Sequence, residues 1–183
     1  MTDSGVSSYR LNLKDPGVLE YWVETYSEPL VRYAYSIVRS SAAAEDAMED
    51  AFAALLIKKH HFSSPQQLRT WLYKTTHNKA VDYLRSHKRE VPLEDVENVL
   101  ASADPASHAA LQERNRPIYL CMQRLPQQYR EVLILTYFES FSITDVCAVM
   151  RKSKKQVYNI LARAKITLKE LLIQEGITHE ELR

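Results

Sequence analysis

From Gln127 to Arg183 the chain contains no proline, and all 183 residues together hold only three glycines. A sequence this poor in backbone breakers, and rich in Ala, Leu, Glu, Lys and Gln, is strongly biased toward helix. The seven prolines stand singly, so each can open a helix or mark a joint. The expected fold is all-α.

Hydrophobic periodicity sorts the helices into two small domains. Residues 16–90 read as the first. Its opening helix, about 18–39, is amphipathic and carries Tyr21, Trp22, Tyr26, Tyr33 and Tyr35. In SSAAAEDAMEDAFAALLIKK, helical spacing puts Ala44, Ala51, Phe52 and Leu55 on the side of Met48. Asp46, Glu49, Asp50, Ala53 and Ile57 fall on the other side, which is acidic with apolar members mixed in. A third helix opens at Ser64, with Pro65 in its first position and Gln67 completing a capping box. It buries Leu68, Leu72, Thr76, Ala80 and Tyr83. Residues 91–111 lose the helical period and gain Pro, Ser, Asp and Glu, as an acidic linker would. The second domain, 112–176, holds a helix at about 112–123, another after Pro126, and two more opened by capping boxes. These pair Ser142 with Asp145 and Ser153 with Gln156.

Charge is sorted along a chain whose net charge is only +1. Residues 58–90 and 151–169 are strongly cationic, and the linker between them is acidic. From Arg151 to Lys169 no residue is acidic. Two cationic blocks on one chain suit two contacts with polyanions. The second block is a long helix that follows a short capped one after a brief turn, which is the spacing of a helix-turn-helix. Val157, Leu161, Ala164, Leu168 and Leu171 form its buried stripe. Lys155, Tyr158, Asn159, Arg163 and Ile166 point outward, with Gln156 and Lys165 on the flanks. Arg151 and Lys152, in the turn, are assigned to phosphate. Lys155 and Asn159 are assigned to base edges, and Arg163 can reach either. The expected partner is duplex DNA.

Several stretches resemble the extracytoplasmic-function group of bacterial RNA polymerase sigma factors, which keep the region 2 and region 4 domains. Ala44-Glu45-Asp46 through Phe52 looks like the A-E-D-x-x-Q-E-x-F stretch of region 2.2. Leu68-Arg69-Thr70-Trp71-Leu72-Tyr73 through Asn78, with Asp82 to Arg85, resembles regions 2.3 and 2.4. Arg124-Leu125-Pro126 through Leu133 looks like region 4.1, and 141–168 like region 4.2. The stretches occur in family order over residues 18–173.

The resemblance implies a protein that binds core RNA polymerase and starts transcription at promoters. Region 2.2 would dock on the β′ clamp helices, through Asp46, Glu49, Asp50 and Ile57; the β subunit is a further implied contact. Regions 2.3 and 2.4 would read the −10 element as a single strand. Phe62 and Tyr73 offer stacking surface and Asn78 an edge hydrogen bond, while Lys74, Lys79, Arg85, Lys88 and Arg89 would follow phosphates. Trp71 reads as core. Region 4.2 would read the −35 duplex through Arg151, Lys152, Lys155, Gln156, Tyr158, Asn159 and Arg163. An anti-sigma factor is implied by the family alone. The chain also departs from the pattern. The family commonly has Gln where Glu49 stands, Gly where Arg151 stands, and Thr-Val-Lys-Ser-Arg where this chain has Gln156 to Ile160.

Other classes fit less well. No carboxylate or Cys stands at ligand spacing from His60, His61, His77 or His87, and no Gly-rich phosphate loop or nucleophile motif is present. Neither an enzyme, a metal nor a cofactor is therefore expected. Cys121 and Cys147 sit among apolar residues and read as buried thiols. No run approaches a membrane span, and the opening residues lack a signal peptide's apolar core, so the expected location is the cytoplasm. A helix-turn-helix regulator with an unrelated N-terminal effector domain is the rival reading. It explains 112–173 but leaves the stretches at 44–52 and 68–85 to coincidence.

Overall fold

The computed structural model describes residues 15–57, 62–87 and 118–177. The linker expected at 91–111 lies outside these residues, as do Lys88, Arg89, His60 and His61. The described residues are helical, with no strand among them.

Helix α1 (Pro16–Val38) is opened by Asp15, whose carboxylate accepts the Gly17 N–H at 3.0 Å. It ends where Arg39 turns into the left-handed region at φ 55°. Helices α2 (Ser41–Ile57) and α3 (Pro65–Ser86) pack on it and on each other. Ala43, Ala44, Ala47 and Ala51 form much of the buried side of α2, and such small side chains allow close approach to α1 and α3. Leu55, Phe52, Leu68, Leu72, Thr76 and Ala80 are buried where helical spacing predicts, and Tyr83 is half-buried.

The second half contains α4 (residues 118–124), α5 (Gln127–Leu133), α6 (Ile143–Met150) and α7 (Lys154–Gln174). Helix α5 continues into a π-helical turn, Ile134–Phe138, closed by the Glu139 N–H on the Ile134 carbonyl. On α7, Val157, Leu161 and Ala164 are buried as expected, but Leu172 completes the stripe while Leu168 and Leu171 are half-buried. At ~100° per residue, 171 and 172 lie about equally far from the stripe's centre. Packing, rather than period, decides between them.

The three capping boxes differ for a physical reason. Ser153 and Gln156 close both arms. Ser64 accepts the Gln67 N–H at 3.2 Å, but Gln67 Oε1 turns to Ser63, which offers both its N–H and its hydroxyl. Ser142 accepts the Asp145 N–H at 3.2 Å. The Asp145 carboxylate takes the Ser142 hydroxyl and two donors from α3 instead of the Ser142 N–H.

The two halves share one hydrophobic core. Tyr73 of α3 meets Phe141 edge-on, with ring centroids 4.9 Å apart. Arg130 of α5 is only 3% exposed. Its Nε donates to the Ser36 carbonyl at 2.7 Å, and its Nη1 donates to the carbonyls of Gln123 and Leu125 at 3.2 and 3.0 Å. Helix ends leave such carbonyls without intrahelical partners, and one guanidinium serves three of them. Burial, with Arg39 nearby, pulls its pKa down to about 10, against the pull of Glu131. It stays charged at neutral pH.

Replacing Arg130 with Met keeps bulk but strands the Ser36 and Leu125 carbonyls, while Arg39 still reaches that of Gln123. The expected loss is roughly 3 kcal/mol, read as a lower urea midpoint for the full chain; an unchanged midpoint would remove Arg130 from this role.

Candidate nucleic-acid interface

The outer face of α2 is built by default. Its alanine side is committed to α1 and α3, so Asp46, Glu49, Asp50 and Ala53 are left exposed together. Ile57 is 81% exposed at the end of that face, and Leu56 beside it is also exposed. Asp50 Oδ2 lies 2.8 Å from Lys79 Nζ of α3, so the acidic face and the cationic helix meet at one edge.

That edge borders an open groove of about 550 Å³ between α2 and α3. Lys74, Asn78 and Lys79 line one wall, and Asp50 and Ile57 the other. Arg151, from the turn before α7, also reaches it. Of the residues expected to face a single strand, the structure gathers Lys74, Asn78 and Lys79 here. Arg85 is exposed farther along α3 and pairs with Asp82 at 3.2 Å. Two others point inward. Phe62 is buried and edge-on to Trp71, with ring centroids 5.9 Å apart. Tyr73 is fully buried between Tyr33 and Phe141, and its hydroxyl donates to the Glu139 carboxylate. Burial first, and the Glu139 charge second, push this phenol well above the ordinary tyrosine range.

Helices α6 and α7 meet across a turn that begins at Arg151, which holds φ 53° and ψ 46°. The N–H groups of Arg151 and Lys152 both fall on the Cys147 carbonyl, closing α6. Ser153 then caps α7. With the inner stripe buried, Lys155, Gln156, Tyr158, Asn159 and Arg163 are exposed, and Lys152 is half-buried. Gln156 uses its side-chain carbonyl in the cap, accepting the Ser153 N–H at 2.9 Å; its NH₂ group is the part left for a ligand. Lys165 lies over the exposed Tyr137 ring, 5.2 Å from the centroid.

Sequence reasoning missed a set of charged residues that face inward. Arg69 stands over the Phe141 ring at 4.2 Å and donates to the Glu139 backbone carbonyl at 2.5 Å. Glu131 is 1% exposed, with Oε2 3.1 Å from His77 Nδ1. That nitrogen is also 3.1 Å from the Tyr33 hydroxyl. A charged residue on an amphipathic helix reads as solvated, and no local pattern signals otherwise. Among the described residues no group of His, Cys, Asp and Glu is placed to hold a metal, and no helix is long and apolar enough to cross a membrane.

Residues 22–90 match the family model for sigma-70 region 2, and residues 115–168 match that for sigma-70 region 4. The chain belongs to the sigma-70 family. Curated relatives place it in the extracytoplasmic-function group. It is 27% identical over 163 residues to the ECF RNA polymerase sigma factor SigM of Bacillus subtilis, covering 86% of this chain and 96% of SigM. SigZ of the same organism is 27% identical over 158 residues, covering 86% of this chain and 88% of SigZ. Among solved structures, the sigma factor RpoE of Bartonella quintana, bound to the anti-sigma factor NepR, shares the fold at a TM-score of 0.67. It is 23% identical, with 84% of this chain and 95% of that one covered. CnrH, in complex with the cytosolic domain of CnrY, shares it at 0.60 and 23% identity, over 87% of this chain and 90% of that one.

The sigma factor is thus a non-enzymatic initiator of transcription that binds core RNA polymerase and promoter DNA. The region 2 match removes the rival reading of an unrelated N-terminal effector domain.

The Ser153 cap supports a prediction. Ser153→Ala should lower stability by about 1 kcal/mol in denaturant melts. Ser153→Asp should preserve the cap and the midpoint, yet weaken duplex binding most at low salt, because it sets a carboxylate among the cations Arg151, Lys152, Lys154 and Lys155. Equal duplex binding by Ser153→Asp and the parent at low salt would place the cap away from DNA.

Proposed function

We propose a division of labour among three surfaces of the sigma factor. The outer face of α2, with Asp46, Glu49, Asp50 and Ile57, docks on the β′ clamp helices of the polymerase, and the β subunit supplies further contact. The groove beside α3 receives the −10 strand, with Asn78 reading a base edge and Lys74, Lys79, Arg85, Lys88 and Arg89 following phosphates. Phe62 and Tyr73 supply stacking surface once they are uncovered. The outer face of α7 enters the major groove at the −35 element. The observation that carries this reading is the exposure of one acidic and one basic helix face on a single scaffold, since opposite charge is what a protein partner and a DNA partner each require.

In this reading residues 16–90 form the polymerase and −10 domain, 112–176 the −35 domain, and 91–111 the linker. The protein acts in the cytoplasm, where its polymerase is. Two structures of its fold were solved in complexes, one with the anti-sigma factor NepR and one with the cytosolic domain of CnrY. A protein of the anti-sigma class is a partner for this chain as well.

Reversing Asp46 and Glu49 to Lys should weaken core-polymerase binding by at least tenfold, with helicity unchanged by circular dichroism. Holoenzyme formation at the parent's affinity would remove this face from the contact.

The −35 face is tested by salt titration on several duplexes. Lys152→Ala should weaken all of them alike and lower the salt slope by about one, as loss of a phosphate contact does. Asn159→Ala should reorder the duplexes with little change in slope. Identical behaviour of the two variants would mean that α7 is oriented differently on DNA.

A further inference from the structure

Two exposed strips on different helices share one spacing and carry opposite chemistry. On α2, Asp46, Asp50, Ala53 and Ile57 are all exposed and follow at intervals of four, three and four residues. At ~100° per residue they lie within about 60° of arc, in one line down the helix. On α7, Tyr158, Ala162, Lys165 and Lys169 are also all exposed, and their intervals are again four, three and four. This is the spacing of a heptad seam, by which one helix packs along another.

Laid antiparallel, the two strips match position by position. Asp46 meets Lys169, Asp50 meets Lys165, Ala53 meets Ala162, and Ile57 meets Tyr158. Opposite charges face each other at one end, and an apolar side chain meets an aromatic ring at the other. Between them two small side chains face each other, which lets the helices approach closely. Laid parallel, Asp46 would meet Tyr158 and Ile57 would meet Lys169. The chemistry fits in one direction only. Within one molecule both strips stay uncovered, with Ile57 81% and Tyr158 56% exposed, and pairing would remove this apolar surface from water.

We propose that the chain pairs with a second copy of itself, the outer strip of α2 in one copy lying antiparallel along the outer strip of α7 in the other. Charge complementarity selects this occupant, since Glu49 flanks the α2 strip and Lys155 the α7 strip with the same signs as the strips themselves. Asp50 already lies 2.8 Å from Lys79, and Lys165 stands over the Tyr137 ring. Asp46 and Lys169 therefore carry most of the charge that selects the register.

The contact is heterologous, so it either closes into a dimer that forms it twice or extends head to tail. About three helical turns of seam bury less than the ~1,200 Å² of a stable complex. The pairing is accordingly weak, sensitive to salt and set by concentration. It covers the α2 face proposed for the polymerase and the α7 face proposed for the −35 duplex, and so stores the sigma factor in a form that engages neither. That consequence rests on the proposed function, whereas the pairing itself does not.

The test is sedimentation equilibrium of the full chain, without polymerase or DNA. The parent's mean mass should rise above that of one chain between ~1 and ~100 μM in low salt, and fall back in ~0.5 M salt. Asp46→Lys and Lys169→Asp should each move this rise to at least about tenfold higher concentration, because each sets like charges against each other. Mixed in equal amounts, the two variants should regain the parent's mass, because each strip then meets one of opposite charge. A parent that stays monomeric at ~100 μM in low salt overturns the pairing. Association that both variants keep, or a mixture that stays as dissociated as its components, overturns it as well.

If either variant loses helicity by circular dichroism, Ala53→Lys decides. It sets bulk and a like charge against α7 where the helices come closest, and it must weaken association, or the proposal falls. Because mass is read without polymerase, a failed clamp contact leaves this test intact, and a monomeric parent leaves the clamp contact standing.

Discussion

Arg130 carries a full charge where almost no water reaches it, and this is possible only because the chain brings carbonyls to it from two directions. Ser36 comes from the end of α1, and Gln123 and Leu125 from the end of α4. The Ser36 and Leu125 carbonyls would otherwise be acceptors without this side-chain donor. Charge and helix ends therefore need each other: without the guanidinium the ends are unsatisfied, and without the ends the guanidinium is uncompensated. Arg39 makes a similar bond to the Gln123 carbonyl.

An interface of this kind differs from an ordinary domain core. Its apolar part is continuous with the cores of both halves, which makes closure favourable. Its polar part consists of directed bonds from Gln66, Arg69, Thr70 and Tyr73 to two carboxylates, which makes the contact specific. Those donors have other uses open to them, since water or a nucleic-acid backbone can satisfy them equally well.

Much of this was legible in the sequence, and the limit is instructive. The faces of α2 and α7 lie where helical spacing put them, because each helix buries one stripe against its own half and leaves the rest outside. The cap at Ser153 could be read for the same reason, as a local event. Arg69, Arg130, Glu131 and Glu139 could not. Each looks like a solvated charge on an amphipathic helix, and its partner lies across the chain on an element whose docking no local period encodes. Phe62 and Tyr73 were read as stacking surface by residue type, but type does not tell an open aromatic from one covered by other parts of the chain. Lys79 was read as a phosphate contact, and the short reach to Asp50 became visible only with α2 and α3 side by side.

The turn before α7 has a consequence for how such a protein can change. Arg151 occupies a left-handed backbone, where a residue with a Cβ is held about 1 kcal/mol above glycine. The replacements that sit easily there are Gly, Asn and Asp, and each removes the cation. Backbone fit and charge thus pull against each other at this one position. Lys152 has no such tie, since its φ is not positive, and its charge can be gained or lost without disturbing the turn. Mutational drift in the charge of this turn has an open route at 152 and a narrow one at 151, so neighbouring residues of like charge have different evolutionary latitude.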